Sequence, residues 1–299
     1  MKRLIHILPI LILLSVLFFS SKAFATPEFD FNRAYEYLKK QCDFGPRPPG
    51  SPAHKNTRDY LISELKKYAR GVTAQNFTQP ASDKTLELTN IIAIFGPESK
   101  NSILLSAHWD TRPIAEHDPD PKNQKKPIMG ANDGASGVAV LLELARIFHE
   151  NPPPMKIVMV LFDGEDYGRS SDDMFFGSRY FARRIPKQWI PDYGILLDMI
   201  GDKDLDVYIE QNSNIAARDV VQKVWDTARR LELKQFHNEV RHSIMDDHIF
   251  LIQAGIKCID IIDFDYPYWH TLQDTADKCS PESLEAIGNL LLELIYYQY

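Results

Sequence analysis

The sequence predicts an α/β domain, a central mostly parallel mixed sheet flanked by helices, built as one domain over residues 26–299. Three observations carry that prediction. Short apolar runs at 103–105, 157–162, 194–200 and 256–262 have the character of strands covered on both faces. Segments with helical apolar spacing separate them, the alternation that builds parallel sheets. The chain shows no internal repeat, low-complexity tract or Gly/Ser linker that would divide it.

The elements follow in order. Residues 1–25 read as a secretory signal: Lys2 and Arg3, an apolar run over 4–19, and Ala23-Phe24-Ala25 as a small-x-small cleavage site. The run is shorter than the roughly 20 residues of a spanning helix, and Pro9 interrupts it. Export to the periplasm or medium is therefore expected, with no membrane association after cleavage. Residues 31–41 suit a short amphipathic helix, and the Pro- and Gly-rich stretch from Gly45 to Pro52 an irregular loop. A helix over 53–68 places Tyr60, Leu61, Leu65 and Tyr68 at near-helical spacing. Strands follow at 72–78, 86–95 and 102–107, then a long polar loop at 109–129, a length that is often functional. A helix over 135–149, a strand over 157–162, a polar loop over 163–175 and a short helix over 177–184 come next. The chain closes with a strand at 194–200, helices at 216–231 and 246–254, a strand at 256–262 and a helix at 281–297.

Composition excludes several classes. With 44% hydrophobic and 25% charged residues over 299 positions, the chain is not disordered, collagenous or a coiled coil. The net charge of -7 becomes -10 once Lys2, Arg3 and Lys22 leave with the signal, which argues against nucleic acid as partner. Cys42, Cys258 and Cys279 are too few for a disulfide scaffold, and their pairing is left open. No Gly-x-Ser-x-Gly elbow follows a strand, which disfavours a serine hydrolase.

The informative pattern is where acids and histidines fall. The apolar runs lead to His108-Trp109-Asp110, to Asp163-Gly164-Glu165-Asp166, to Asp198, and through a last turn to Trp269-His270. In an open α/β sheet the carboxyl ends of the strands form the site crevice, so these groups converge. Crowded carboxylates repel unless a cation holds them, and a His and carboxylate set is what zinc binds. In extended chain, His108 and Asp110 project from one face, so Asp110 can orient His108 or a ligand beside it. Asp133 stands before a helix, either as its N-cap or as a ligand. Glu165 and Asp166 are adjacent, so one can bind metal while the other moves protons.

The ordered set His108-x-Asp110, Asp133, Glu165-Asp166, Asp198 and His270 resembles the zinc-dependent aminopeptidase clan. It is more similar to one branch, the animal-type glutaminyl-peptide cyclotransferases and their bacterial relatives. Asp246-Asp247-His248-Ile249-Phe250 and Tyr268-Trp269-His270-Thr271 support that branch. The resemblance implies one zinc on Asp133, Asp166 and His270, with Glu165 as proton shuttle, Asp198 and Asp246 as a hydrogen-bonded acid pair, and Trp269 against the substrate side chain. His108 and Asp110 are implied as second-metal or orienting residues. The expected reaction converts N-terminal Gln of a peptide or protein to pyroglutamate and releases ammonia. A secreted zinc aminopeptidase with two zincs, one on His108, Asp133 and Asp198, is the alternative. Two departures stand out: Asp166 where the clan has Glu, and Asp260 where the animal enzymes carry His. The remaining histidines, His54, His117, His149, His237 and His242, read as polar or helix-surface residues.

Overall fold

A computed structural model describes residues 26–186 and 189–297, so the expected signal segment lies outside the described residues. Six strands form the main sheet: β1 (Gly71–Pro80), β2 (Thr85–Phe95), β3 (Ser102–His108), β4 (Lys156–Phe162), β5 (Tyr193–Asp198) and β8 (Cys258–Ile262). Their order is β1-β2-β4-β3-β5-β8. The pairs β3–β4, β3–β5 and β5–β8 are parallel, while β1–β2 and β2–β4 are antiparallel, which gives the mixed sheet the sequence predicts.

The apolar runs are continuous because both faces are covered. Ile103, Leu105 and Ala107 enter the larger core with Ile157, Met159 and Leu161, while Leu104, Val158, Val160 and Phe162 enter a smaller one. Alternate side chains of a strand point to opposite faces, so each face needs its own helical layer. The larger layer holds α1 (Phe31–Asp43), α3 (Ala135–Glu150), α6 (Arg218–Arg230) and α8 (Pro281–Tyr296); the smaller holds α4 (Phe176–Ala182) and α7 (Asp247–Gln253). The central helix α3 is buried at thirteen of its residues. At about 1.5–3 kcal/mol per large apolar side chain buried, this layer is the main stabilising contact of the sheet.

Local signals start the helices. Ser51 accepts from the His54 amide to open α2 (Pro52–Tyr68), and Ser280 accepts from the Ser283 amide to open α8, each ahead of a proline at the first turn. The strand predicted over 194–200 ends at Asp198, because Met199 takes a left-handed φ of 46° that breaks the ladder. The helix predicted over 216–231 is divided at Ala217, and α5 (Gln211–Ala216) precedes it. A small parallel pair, β6 (Val207–Ile209) with β7 (Phe236–Val240), has no counterpart in the prediction. Three residues are too few to show a period, and β7 is mostly polar and exposed.

Candidate metal centre and active site

The parallel strands deliver their carboxyl ends to one crevice, as expected of this topology. His108 closes β3, Asp198 closes β5, and the loop after β4 carries Glu165 and Asp166. Asp133 comes from the turn before α3 and His270 from the loop after β8.

Asp133 stands at the middle. Its Oδ1 lies 3.1 Å from His108 Nε2 and its Oδ2 lies 3.6 Å from His270 Nε2. The N-cap of α3 is Gly134, without a side-chain cap bond, so the carboxylate of Asp133 is turned to the imidazoles instead of capping the helix. Gly134 is required there: its φ is +150°, and a Cβ would come within 2.6 Å of the His108 ring.

Two groups of donors converge. Asp133, Asp166 and His270 offer ligand atoms within 4.8 Å of one another, and so do His108, Asp133 and Asp198. In the first group His270 Nε2 lies 3.4 Å from Asp166 Oδ1, and Asp166 Oδ2 is buried without a hydrogen-bond partner. A buried carboxylate oxygen left unpaired is costly, and a cation is the natural occupant. Two carboxylates and one imidazole are a donor set that would suit zinc. The other His270 nitrogen, Nδ1, faces Glu116 Oε1 at 3.2 Å, the carboxylate–histidine arrangement that orients a metal-binding imidazole. Burial opposes the charged form of His270, yet Asp166, Glu116 and Asp133 lift it to about 10. Such a ring must lose its proton to bind metal.

The shorter Asp166 has a cationic neighbour. Arg112 Nη1 donates to Asp166 Oδ1 at 2.7 Å, and Arg112 Nε donates to Glu116 at 2.6 Å. Arg112 and Glu116 sit in the long 109–129 loop and were not singled out by the sequence; nothing in their local spacing marks them. Asp110 does not accept from His108 at hydrogen-bond distance, its Oδ1 being 3.8 Å from Nδ1. Instead its two oxygens accept the amides of Glu165 at 3.1 Å and Asp166 at 3.2 Å. Asp110 therefore fixes the turn that presents both acids.

Glu165 is 8% exposed. Burial and the Asp166 charge push its carboxyl well above the usual carboxylate range, the condition of a group able to carry a proton near neutral pH. Asp198 Oδ1 pairs with His108 Nε2 at 3.2 Å. No hydrogen bond joins Asp198 and Asp246 among the described residues, although burial and the Asp198 charge push Asp246 up to about 7. Asp246 lies instead in a buried group with His248 and Asp260, atoms within 4.8 Å. His248 Nε2 is 3.3 Å from Glu210 Oε2, and its Nδ1 is 3.7 Å from Asp260 Oδ2. Trp269 is half-buried at the cleft, with ring centroids 4.2 Å from His270, 4.8 Å from His117 and 5.0 Å from Phe264.

Two expectations need correction or completion. His54 is not a surface histidine: it is 5% exposed, its Nε2 lies 2.7 Å from Asp163 Oδ1, and its ring stacks on Trp109 at 4.3 Å. A lone polar residue on a helix gives no sign of the strand-end acid that receives it. Cys42, Cys258 and Cys279 are all free.

With this geometry the comparisons agree. The model of peptidase family M28 matches residues 90–295, and the chain belongs to that family. Within it, the chain is similar to glutaminyl cyclases. It is 40% identical to the Bacteroides thetaiotaomicron glutaminyl cyclase solved with N-acetylhistamine, with a TM-score of 0.89 over 92% of this chain and 100% of that one. A Zn-dependent exopeptidase from Parabacteroides distasonis matches equally, at 40% identity and a TM-score of 0.89 over 92% of this chain and 100% of that one. A glutaminyl-peptide cyclotransferase of Gloydius blomhoffii is 25% identical over 82% of this chain and 75% of that protein.

Proposed function

We propose that the protein is a zinc-dependent glutaminyl-peptide cyclotransferase of the bacterial-like branch. The observation that carries this reading is a metal-ready triad, Asp133, Asp166 and His270, beside the buried carboxyl of Glu165 and the half-buried Trp269. The names of its relatives support the same activity.

In this reading Asp133, Asp166 and His270 hold one zinc. When bound, the metal polarises the γ-carbonyl of the substrate glutamine. Glu165 takes a proton from the α-amine as its nitrogen bonds to the γ-carbon, and returns it to the amide nitrogen, which leaves as ammonia. No water is consumed. Asp198 and Asp246 orient the amine and leaving nitrogen, and Trp269 gives the flat uncharged side chain a wall. Holding the chain folded back on itself supplies much of the rate through proximity. The substrate is a peptide or protein with a free N-terminal Gln. His108 and Asp110 serve as orienting residues, Asp110 through the Glu165 and Asp166 amides. Export by cleavage of residues 1–25 belongs to the proposal; among the described residues no helix is long and apolar enough to cross a membrane.

The second donor group, His108, Asp133 and Asp198, favours a competing reading, a two-zinc aminopeptidase. One experiment separates them. Purified mature protein with zinc is incubated with Gln-, Leu- and Ala-initiated peptides, and products are resolved by mass. Loss of ammonia from Gln peptides alone supports the cyclotransferase. Release of free N-terminal residues, with two zincs per chain, overturns it.

A further inference from the structure

We infer that Asp274 is a positioning residue for the metal centre, which sets where Asp133 stands relative to His270 by forking across two consecutive amides. The inference rests on the zinc site of the proposed function and adds a residue to it. Asp274 is 0% exposed and lies four positions after His270, in the same loop. Its Oδ1 accepts from the Asn132 amide at 2.8 Å and its Oδ2 from the Asp133 amide at 3.2 Å. The Tyr266 hydroxyl donates to Oδ1 at 2.9 Å, and the Asp274 carbonyl accepts from the Ala131 amide at 3.4 Å. One residue thus holds three successive amides of the Asp133 turn and an anchor in its own loop.

The geometry has a purpose that a simple brace would lack. Asp133 and His270 reach the centre from separate loops, and their facing atoms are 3.6 Å apart. Neither loop fixes that spacing alone. His270 has a left-handed φ of 55°, held where the His117 amide donates to its carbonyl at 3.1 Å and the Leu272 amide donates to Asp118 Oδ2 at 3.0 Å. A strained residue persists only where its surroundings over-determine it. Asp274 completes the tie from this loop to the Asp133 turn. The device is repeated on the other side of the centre: Asp110 forks across the Glu165 and Asp166 amides. Each turn that carries a carboxylate ligand therefore hangs from one buried aspartate. A ligand displaced by as little as about 1 Å weakens a preorganised site.

The test is the zinc affinity of Asp274→Asn. Asn keeps the shape but turns an NH2 toward one of the two amides. Zinc dissociation constants are measured by chelator competition, with thermal unfolding of the zinc-free proteins alongside. Partners behind the ligands typically contribute 10–100-fold in affinity, and a loss in that range is expected. Affinity within twofold of wild type, even with a lowered zinc-free Tm, overturns the inference and leaves Asp274 a plain brace. Should the variant not fold, the wild type decides. In zinc-free protein the Asn132 and Asp133 amides should exchange with solvent as slowly as the amides of α3; exchange at open-loop rates overturns the inference. Wild type that binds no zinc overturns the metal reading together with it, whereas wild type that binds zinc as tightly as Asp274→Asn overturns this inference alone.

Discussion

Arg47 offers the sharpest test of how the site is held. It is 0% exposed, although it belongs to a Pro- and Gly-rich loop. Its Nε donates to Trp109 O at 3.0 Å, its Nη1 to Met129 O at 2.9 Å and its Nη2 to Gly130 O at 2.9 Å. The Asp274, Asp110 and Asp133 charges favour its charged form against the burial that lowers it. Replacement by Met keeps the stem and removes all three bonds. A hydrogen bond to a charged group contributes about 1.5–3 kcal/mol, so three sum to roughly 4–9 kcal/mol. Nearby carboxylates losing their buried cation act in the same direction, while carbonyls regaining some water reduce the cost. The expected loss for Arg47→Met is about 5 kcal/mol, a large share of a typical domain's 5–15. Arg47→Lys, with one compact ammonium instead of a planar fork, should lose about half as much. Urea unfolding of zinc-free protein gives the midpoint, provided the slope is unchanged. A loss below about 1 kcal/mol for Arg47→Met would refute the claim that this guanidinium ties the loops together.

Three further outcomes are expected. Glu165→Gln should abolish turnover while the zinc content by elemental analysis stays at the wild-type value; loss of zinc would mean that Glu165 and Asp166 have exchanged roles. Trp269→Ala should raise KM for Gln peptides about tenfold, from the loss of roughly 1.4 kcal/mol of aromatic contact, with a smaller change in kcat; an unchanged KM would remove Trp269 from the substrate wall. Glu210 gives a pH test. Burial opposes its charge, but His248 and the amides of Ile244, Asn212 and Ser213 hold its carboxyl down at about 2. A depressed acid contributes stability that is complete above its unfolded value near 4.5 and lost as pH falls toward about 2. That difference amounts to roughly 3 kcal/mol before solvent screening and about 2 after it. Glu210→Gln should therefore lower stability at pH 7 and approach wild type near pH 3; a gap that stays constant across that range would show that ionisation is not the cause.

The sequence by itself determined what depends on neighbours along the chain. Largely apolar runs identified β3, β4, β5 and β8, because strands covered on both faces are apolar at most positions. The helices read over 53–68 and 281–297 are α2 and α8, although the Ser51 and Ser280 caps that open them within three residues came from the structure. The order of acids and histidines at strand ends revealed the candidate centre, because parallel topology brings those ends together. Tertiary structure alone decided the rest. The role of Asp133 was open between cap and ligand until the fold set it between two imidazoles. Asp110 proved to serve amides 55 and 56 residues away. Arg47, Arg112, Glu116, His54 and Asp274 have partners on other loops, at separations no local spacing encodes. A buried polar residue is explained by the group that satisfies it, and that group is chosen by packing, not by position in the chain.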